Sequence, residues 1–237
     1  MRSLRGDESR IVNPFAPIVV FAYNRPGHLR QTLEQLARAQ GAGASDLWIF
    51  CDGPRTGDGF VQTDAVRTVA RDEIWKRRFA SVRVEEAPWN KGLARSIIEG
   101  VSLVIEEAGR AIVVEDDMLV AHDFLTFLNE CLVFYEADRN VGSVTGFSPL
   151  ANPPAGYADD VMAVPRNSSQ GWATWVDRWR EVDWTAEEAQ RVWKDASLRG
   201  RLNSAGSDRA FRLQRQLGGQ IDSWSIRFGL WQVTAER

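Results

Sequence analysis

The chain has 237 residues, of which 44% are hydrophobic and 26% charged, and its formal net charge is −3. That length can bury a full core and suits one large domain, or one domain with a subdomain. The charge balance gives no reason to expect nucleic acid or an anionic membrane as the main partner, and no apolar run approaches the roughly 18 residues of a membrane span.

The opening segment "MRSLRGDESRIVNPFAP" reads as a tail over 1–16 and lacks the apolar centre of a signal peptide. "PIVVFAY" (17–23) is a short apolar strand, and "GHLRQTLEQLARAQ" (27–40) has helical spacing. "DLWIFCD" (46–52) is strand-like, and "FVQTDAVRTVARDEIWKRRF" (60–79) reads as helix. "SVRVEEA" (81–87) alternates as a strand does, and "GLARSIIEGVSLVIEEAG" (92–109) is an amphipathic helix closed by Gly109. "AIVV" (111–114) is a buried strand, "HDFLTFLNECLVFYEAD" (122–138) a helix and "VGSVTGF" (141–147) a further strand. This alternation predicts a mostly parallel sheet with helices on both faces. Right-handed crossovers then bring the carboxyl ends of the parallel strands to one edge, where ligands of open α/β sheets bind.

From residue 148 the pattern changes. "SPLANPPAGYADD" reads as a loop, while "GWATWVDRWREVDW" (171–184), "AEEAQRVWKDASL" (186–198) and "SDRAFRLQRQLGG" (207–219) look helical. The expectation is one domain with a nucleotide-binding half over 17–147 and a helical, Trp-rich, acceptor-side portion over 148–237. Seven of the ten tryptophans lie between 172 and 231, which suits either a Trp-rich core or a surface that stacks on sugar rings. Cys51 and Cys131 sit in apolar contexts and read as buried thiols of a reducing compartment. Asn167-Ser168-Ser169 matches the N-glycosylation pattern but has no use without a secretion signal.

Several chemistries lack their motifs. No Gly-x-Gly-x-x-Gly follows the first strand, there is no P-loop, and two histidines, His28 and His122, are too few for a His/Cys zinc cluster. Gly142 to Gly146 carries Val144 at the middle position, so it is not a nucleophile elbow.

The chemistry-bearing feature is "AIVVEDD", an apolar run that ends in Glu115, Asp116 and Asp117. Adjacent carboxylates repel and raise each other's pKa unless a cation or donor offsets them. A response-regulator receiver would use such acids, but it has no use for the two strand–helix units upstream. Helix capping explains one or two acids of the three. A metal–diphosphate site explains all of them: a hard divalent ion, Mn2+ or Mg2+, bridges protein carboxylate to the diphosphate of a nucleotide-sugar.

Four motifs in order, "PIVVFAYNRPGHLRQTLEQL", "FCDGPR", "NKGLARSIIEGVSLVIEE" and "AIVVEDDMLVAHDFLTFL", resemble the GT-A-fold glycosyltransferases. The similarity is to the family 2-like bacterial sugar transferases and, more distantly, to the N-acetylglucosaminyltransferase I type. It runs from about residue 17 to 228 and takes in "SSQGWATWVDRW" and "GQIDSWSIRF". The resemblance implies a GT-A α/β fold with a C-terminal helical extension. It implies that Ala22, Tyr23, Asn24 and Arg25 line the base and ribose pocket, and that Asp52 accepts from a ring N–H of uracil or thymine. As a residue alone, Asp52 also reads as a turn former before Gly53. Asn90, Lys91, Gly92 and Arg95 would approach the donor, although they also read as a cap and an exposed basic face. Asp117 would bind the metal, with Glu115 and Asp116 at ribose or metal-bound water. Gln170, Gly171, Trp172 and Trp224 would shape the sugar and acceptor pocket, Trp172 being equally readable as core.

Inverting members of the group use a carboxylate base, and Asp222 is the candidate here. The sequence departs from the family 2 pattern at the residue before it, where Ile221 replaces an acid; in the N-acetylglucosaminyltransferase type the base aligns with Ser223, which cannot do that work. Relatives also continue beyond this segment with another strand and a loop over the donor, whereas this sequence stops at Arg237.

The expected protein is therefore a cytoplasmic, metal-dependent transferase, at most peripheral to the inner face of the membrane. It moves a sugar from a UDP- or dTDP-sugar to a hydroxyl of a glycan, lipid-linked glycan or protein, with inversion favoured. The alternative is an inactive nucleotide-sugar or glycan-binding module of the same fold.

Overall fold

The computed structural model describes residues 15–55, 60–147, 155–185 and 187–235. The N-terminal tail to residue 14 and the centre of the Pro/Gly-rich loop, 148–154, lie outside the described residues.

Among the described residues six strands form one sheet: β1 (Ile18–Ala22), β2 (Asp46–Cys51), β3 (Ser81–Glu86), β4 (Arg110–Glu115), β5 (Val144–Thr145) and β6 (Trp172–Trp175), in the order β3-β2-β1-β4-β6-β5. The first four strands are parallel to their neighbours, with Ile18 beside Leu47 on one side and Ile112 on the other. β1 is buried along its whole length, as a central parallel strand covered on both faces must be, which explains its unbroken apolar run. β3 pairs with β2 alone and alternates exposed with half-buried residues. β5 pairs with β6 alone, over two residues.

Helices α1 (Pro26–Arg38), α2 (Val61–Ala70) and α4 (Phe124–Phe134) share an apolar cluster with one face of the sheet. On the other face Val19, Phe21, Trp48 and Val113 meet α3 (Leu93–Ala108), α5 (Val176–Trp179) and α9 (Trp224–Thr234). α1 begins with Pro26, whose missing N–H costs nothing at that position. α3 ends where Gly109 N–H returns to Ile105 O at 2.8 Å. The helices α6 (Glu187–Lys194), α7 (Ala196–Ser204) and α8 (Arg209–Leu217) build a third cluster against α9 through Val192, Leu202, Leu213 and Ile226.

The stretch 171–184 differs from its helical reading. Trp172 to Trp175 form β6, antiparallel to β4, with Val113 beside Trp172 and Arg110 beside Trp175. Trp172, Trp175 and Trp179 recur at helical spacing, but in a strand residues three apart point to opposite faces. Trp172 accordingly enters the α3-side cluster and Trp175 the α1-side cluster. The 186–198 segment divides at Asp195, whose side chain caps α7 by accepting from Ser197 N at 2.8 Å and Leu198 N at 3.1 Å. Helix α9 lies in the portion expected to be helical, although no separate helix is read there from the sequence. Both cysteines are buried free thiols. Asn167 is buried and engaged, accepting from Arg209 Nη2 at 3.0 Å and donating to Ser225 O at 3.3 Å, which argues against a glycan there.

Candidate active site

The carboxyl ends of β1, β2, β3 and β4 lie along one edge. Antiparallel β6 starts at this edge, since Trp172 pairs with Val113 near the end of β4. Gly146 N–H joins Gly171 O there at 2.9 Å, so these two residues meet at the same edge. Gly171 has φ +61°, and a Cβ there would lie 2.8 Å from the Phe124 ring.

The acidic end of β4 answers the question posed by its sequence. The guanidinium of Arg25, from the β1–α1 loop, donates to Asp116 through Nη2 and to Asp117 Oδ2 through Nη1 at 2.9 Å. Thr32 of α1 secures the same turn: its hydroxyl donates to Asp116 O at 2.9 Å and accepts from Met118 N at 3.2 Å. The Asp116 side chain is 4% exposed and Asp117 44%. Asp116 Oδ2 is buried with no hydrogen-bond partner. Burial, reinforced by Asp117 and Asp116, pushes the Glu115 carboxyl up to about 7, against the pull of Arg25. Burial also raises Asp116, with Arg25 opposing it.

Asp52 takes a different role from the one the resemblance implies. Its Oδ1 accepts from Gly53 N and Lys91 N, both at 2.8 Å. Its Oδ2 accepts from Asn90 Nδ2 and Gly92 N, both at 3.0 Å. A carboxylate has about four lone-pair directions, and here all are engaged, which leaves none for a base N–H. Asp52 instead staples the loop after β2 to the loop that opens α3. Gly53 is part of the same closure, since a Cβ there would lie 2.4 Å from the Trp89 carbonyl carbon.

Of the other site candidates, Ala22 is buried at the end of β1, Tyr23 is half-buried with Arg55 over its ring at 5.7 Å, and Asn24 is exposed. Lys91 and Arg95 both engage Glu99, at 2.7 Å and 2.5 Å. Gln170 is exposed and its carbonyl accepts from Thr145 Oγ1 at 3.2 Å. Trp172 and Trp224 are core residues, which corrects their assignment to the substrate surface. Their ring centroids lie 4.7 Å apart, Trp172 also stacks near Trp179 at 5.8 Å, and both are buried. Indole side chains of this size are held inside among the aromatic partners of the α3-side face. The stack also brings the start of α9 beside Trp172 at the carboxyl edge. Asp222, two residues before α9, is 63% exposed and paired with Arg227 Nη2 at 2.8 Å.

Sequence reasoning missed Thr32 and Glu99. Their side chains matter through partners far along the chain or on a helix face, and neither belongs to a motif.

Among the described residues, no three His, Cys, Asp or Glu side chains converge as a metal cage. What the site offers is hard oxygen: the Asp117 carboxylate and the unpartnered Asp116 Oδ2. That set fits a divalent ion that shares its coordination with a diphosphate and water, as Mg2+ and Mn2+ do.

No protein-family model matches the chain. Among solved structures, the fold is similar to that of a mannosyltransferase from Pyrobaculum calidifontis, determined with GDP-mannose and Mn2+. The TM-score is 0.50 at 12% identity, over 98% of this chain and 73% of that one. The likeness is one of fold: a GT-A-like α/β sheet with helices on both faces.

Proposed function

We propose that the protein is a metal-dependent glycosyltransferase that moves a sugar from a nucleoside-diphosphate donor to an acceptor hydroxyl. The observation that carries this is the acidic end of β4, set at the carboxyl edge of a GT-A-like sheet with a solvent-facing Asp117 beside an orphaned Asp116 oxygen. The solved neighbour of the same fold holds a nucleotide-sugar and Mn2+, which supports the reading.

In this proposal Asp117, with Asp116, holds Mn2+ or Mg2+, which when bound supplies Lewis-acid stabilisation of the leaving diphosphate. Tyr23 and Asn24, just after β1, would meet the base and ribose. Asp222 accepts the proton of the acceptor hydroxyl as its oxygen bonds to the anomeric carbon and the bond to the diphosphate breaks, with inversion. Arg227 keeps Asp222 oriented. The sequence argument for UDP or dTDP rested on Asp52; with that carboxylate committed, a guanine donor competes on equal terms. The acceptor is a glycan, lipid-linked glycan or protein, met in the cytoplasm as part of polysaccharide assembly. A second reading, a binding module without turnover, is favoured by one feature: the proposed base is already tied to Arg227.

Calorimetric titration of UDP, dTDP, GDP and CMP with and without Mn2+, on the protein and on Asp117→Ala, tests the donor site. The expected result is metal-dependent binding of one nucleoside diphosphate, weakened more than about tenfold in the variant, or roughly 1.4 kcal/mol. No binding by any of the four sinks the proposal. Release of sugar from the matching donor separates the enzyme from the binding module.

A further inference from the structure

We infer that Arg25 is the built-in counter-ion of the acidic strand end, and that a divalent cation reaches Asp116 and Asp117 only by displacing it. The inference rests on the donor-site reading above and adds to it a residue that sets how metal and diphosphate depend on each other.

Four observations carry it. The guanidinium spans both aspartates, bonding one oxygen of each, so its positive charge stands where a cation shared by the two carboxylates would sit. Its side chain is 44% exposed, so it can swing away from the edge without opening the core. Other cations of this half of the chain have partners of their own: Arg30 pairs with Asp72 at 3.5 Å, Lys91 and Arg95 share Glu99, and Arg55 lies over Tyr23. Asp116 Oδ2 stays unpartnered because Arg25 serves only the other oxygen. One guanidinium offsets only half the charge of this pair and leaves one buried carboxylate oxygen without a partner, a ligand atom for an incoming ion.

The electrostatics then couple two ligands. Metal alone would evict Arg25 and leave a guanidinium beside a dication, which like-charge repulsion opposes. A diphosphate alone would face the Asp117 carboxylate with Arg25 already engaged. When both arrive, the carboxylates pass to the metal and Arg25 passes to phosphate oxygens, which suit its planar fork. Every charge keeps a partner throughout the exchange. Metal and nucleotide therefore each strengthen the binding of the other, by the same factor.

The test measures free Mn2+ by electron paramagnetic resonance on the full chain, with and without UDP or GDP, for the wild type, Arg25→Gln and Arg25→Lys. In the wild type the nucleotide should tighten Mn2+ binding about tenfold or more. Arg25→Gln should bind Mn2+ alone about tenfold more tightly than the wild type, and the nucleotide effect should fall below about threefold. Arg25→Lys, which keeps the charge but cannot span both carboxylates, should lie between, and it decides the matter if circular dichroism shows Arg25→Gln to be unfolded. Equal Mn2+ affinity in wild type and variants without nucleotide overturns the inference while the donor site stands. Absence of Mn2+ binding in the wild type even with nucleotide overturns the donor-site reading itself, and this inference with it.

Discussion

A buried carboxylate with every lone pair engaged acts on structure before it acts on ligands. Asp52 gathers three backbone N–H groups and one amide from two loops, and without it those donors would be buried beside one another. Asp52→Ala should lower unfolding free energy by about 3 kcal/mol, because several charge-assisted hydrogen bonds go at once. Asp52→Asn should also destabilise, since its NH2 would face donors. Urea unfolding of both variants distinguishes this from a base-reading role, in which Asp52→Asn would keep full stability and only change nucleotide preference. The position of the acids was legible in sequence, because three carboxylates after an apolar run stand out. Their partner was not: Arg25 lies 91 and 92 residues away from them in the chain, and nothing local marks the pairing. The hydrogen bonds of Asp52 are hidden in sequence for the same reason, its partners in the α3 loop being 38 to 40 residues distant.

At the scale of elements, the parallel half was legible because each strand there is an apolar run and each helix has its own periodicity. The C-terminal third was harder, since Trp172, Trp175 and Trp179 satisfy a helical pattern while the open side of β4 draws the first two into a strand. Helix α9 is buried around much of its circumference, so it shows no polar stripe to reveal its period. Its interior contains Gly229, where a Cβ would lie 1.6 Å from Arg209 Nη2 and 2.8 Å from Asn167 Oδ1. Arg209 is itself buried, with its guanidinium pulled down to about 10 chiefly by burial and then by Arg166 and Arg212. It has nowhere to retreat. Gly229→Ala should therefore cost about 3 kcal/mol, against the gain in helix propensity that the same change brings on an exposed helix. A thermal midpoint equal to or above that of the wild type would mean α9 and α8 can separate cheaply.

For the whole molecule, the two thiols report on the core. Cys51 and Cys131 belong to the same apolar cluster between the sheet and α1, α2 and α4. Burial, with Glu86 next in weight, pushes the Cys51 thiol up to about 12 from 9.0. An acid whose folded pKa is raised holds its proton more firmly when folded. Its contribution is thus neutral at pH 8, and stability is lost as pH rises from the ordinary thiol value through the folded one. Alkylation by iodoacetamide at pH 8 should proceed at the rate of global unfolding and accelerate in urea in step with loss of structure. Prompt stoichiometric labelling of Cys51 in native buffer would show that β2 opens on its own.

The two ends of the sheet carry a consequence for how copies of the chain behave together. An unpaired strand is a template for another molecule's strand, and long flat edges invite aggregation. Among the described residues one end is β5, which offers two residues. The other is β3, which turns Ser81, Arg83 and Glu85 outward, with Arg83 folded over Trp48 at 4.4 Å and reaching Glu107 at 3.4 Å. A strand arriving from a neighbour would have to accommodate charges of both signs at one end and would find almost no ladder at the other. Strand exchange between molecules is thereby discouraged, and crowding at high concentration should leave the sheet single.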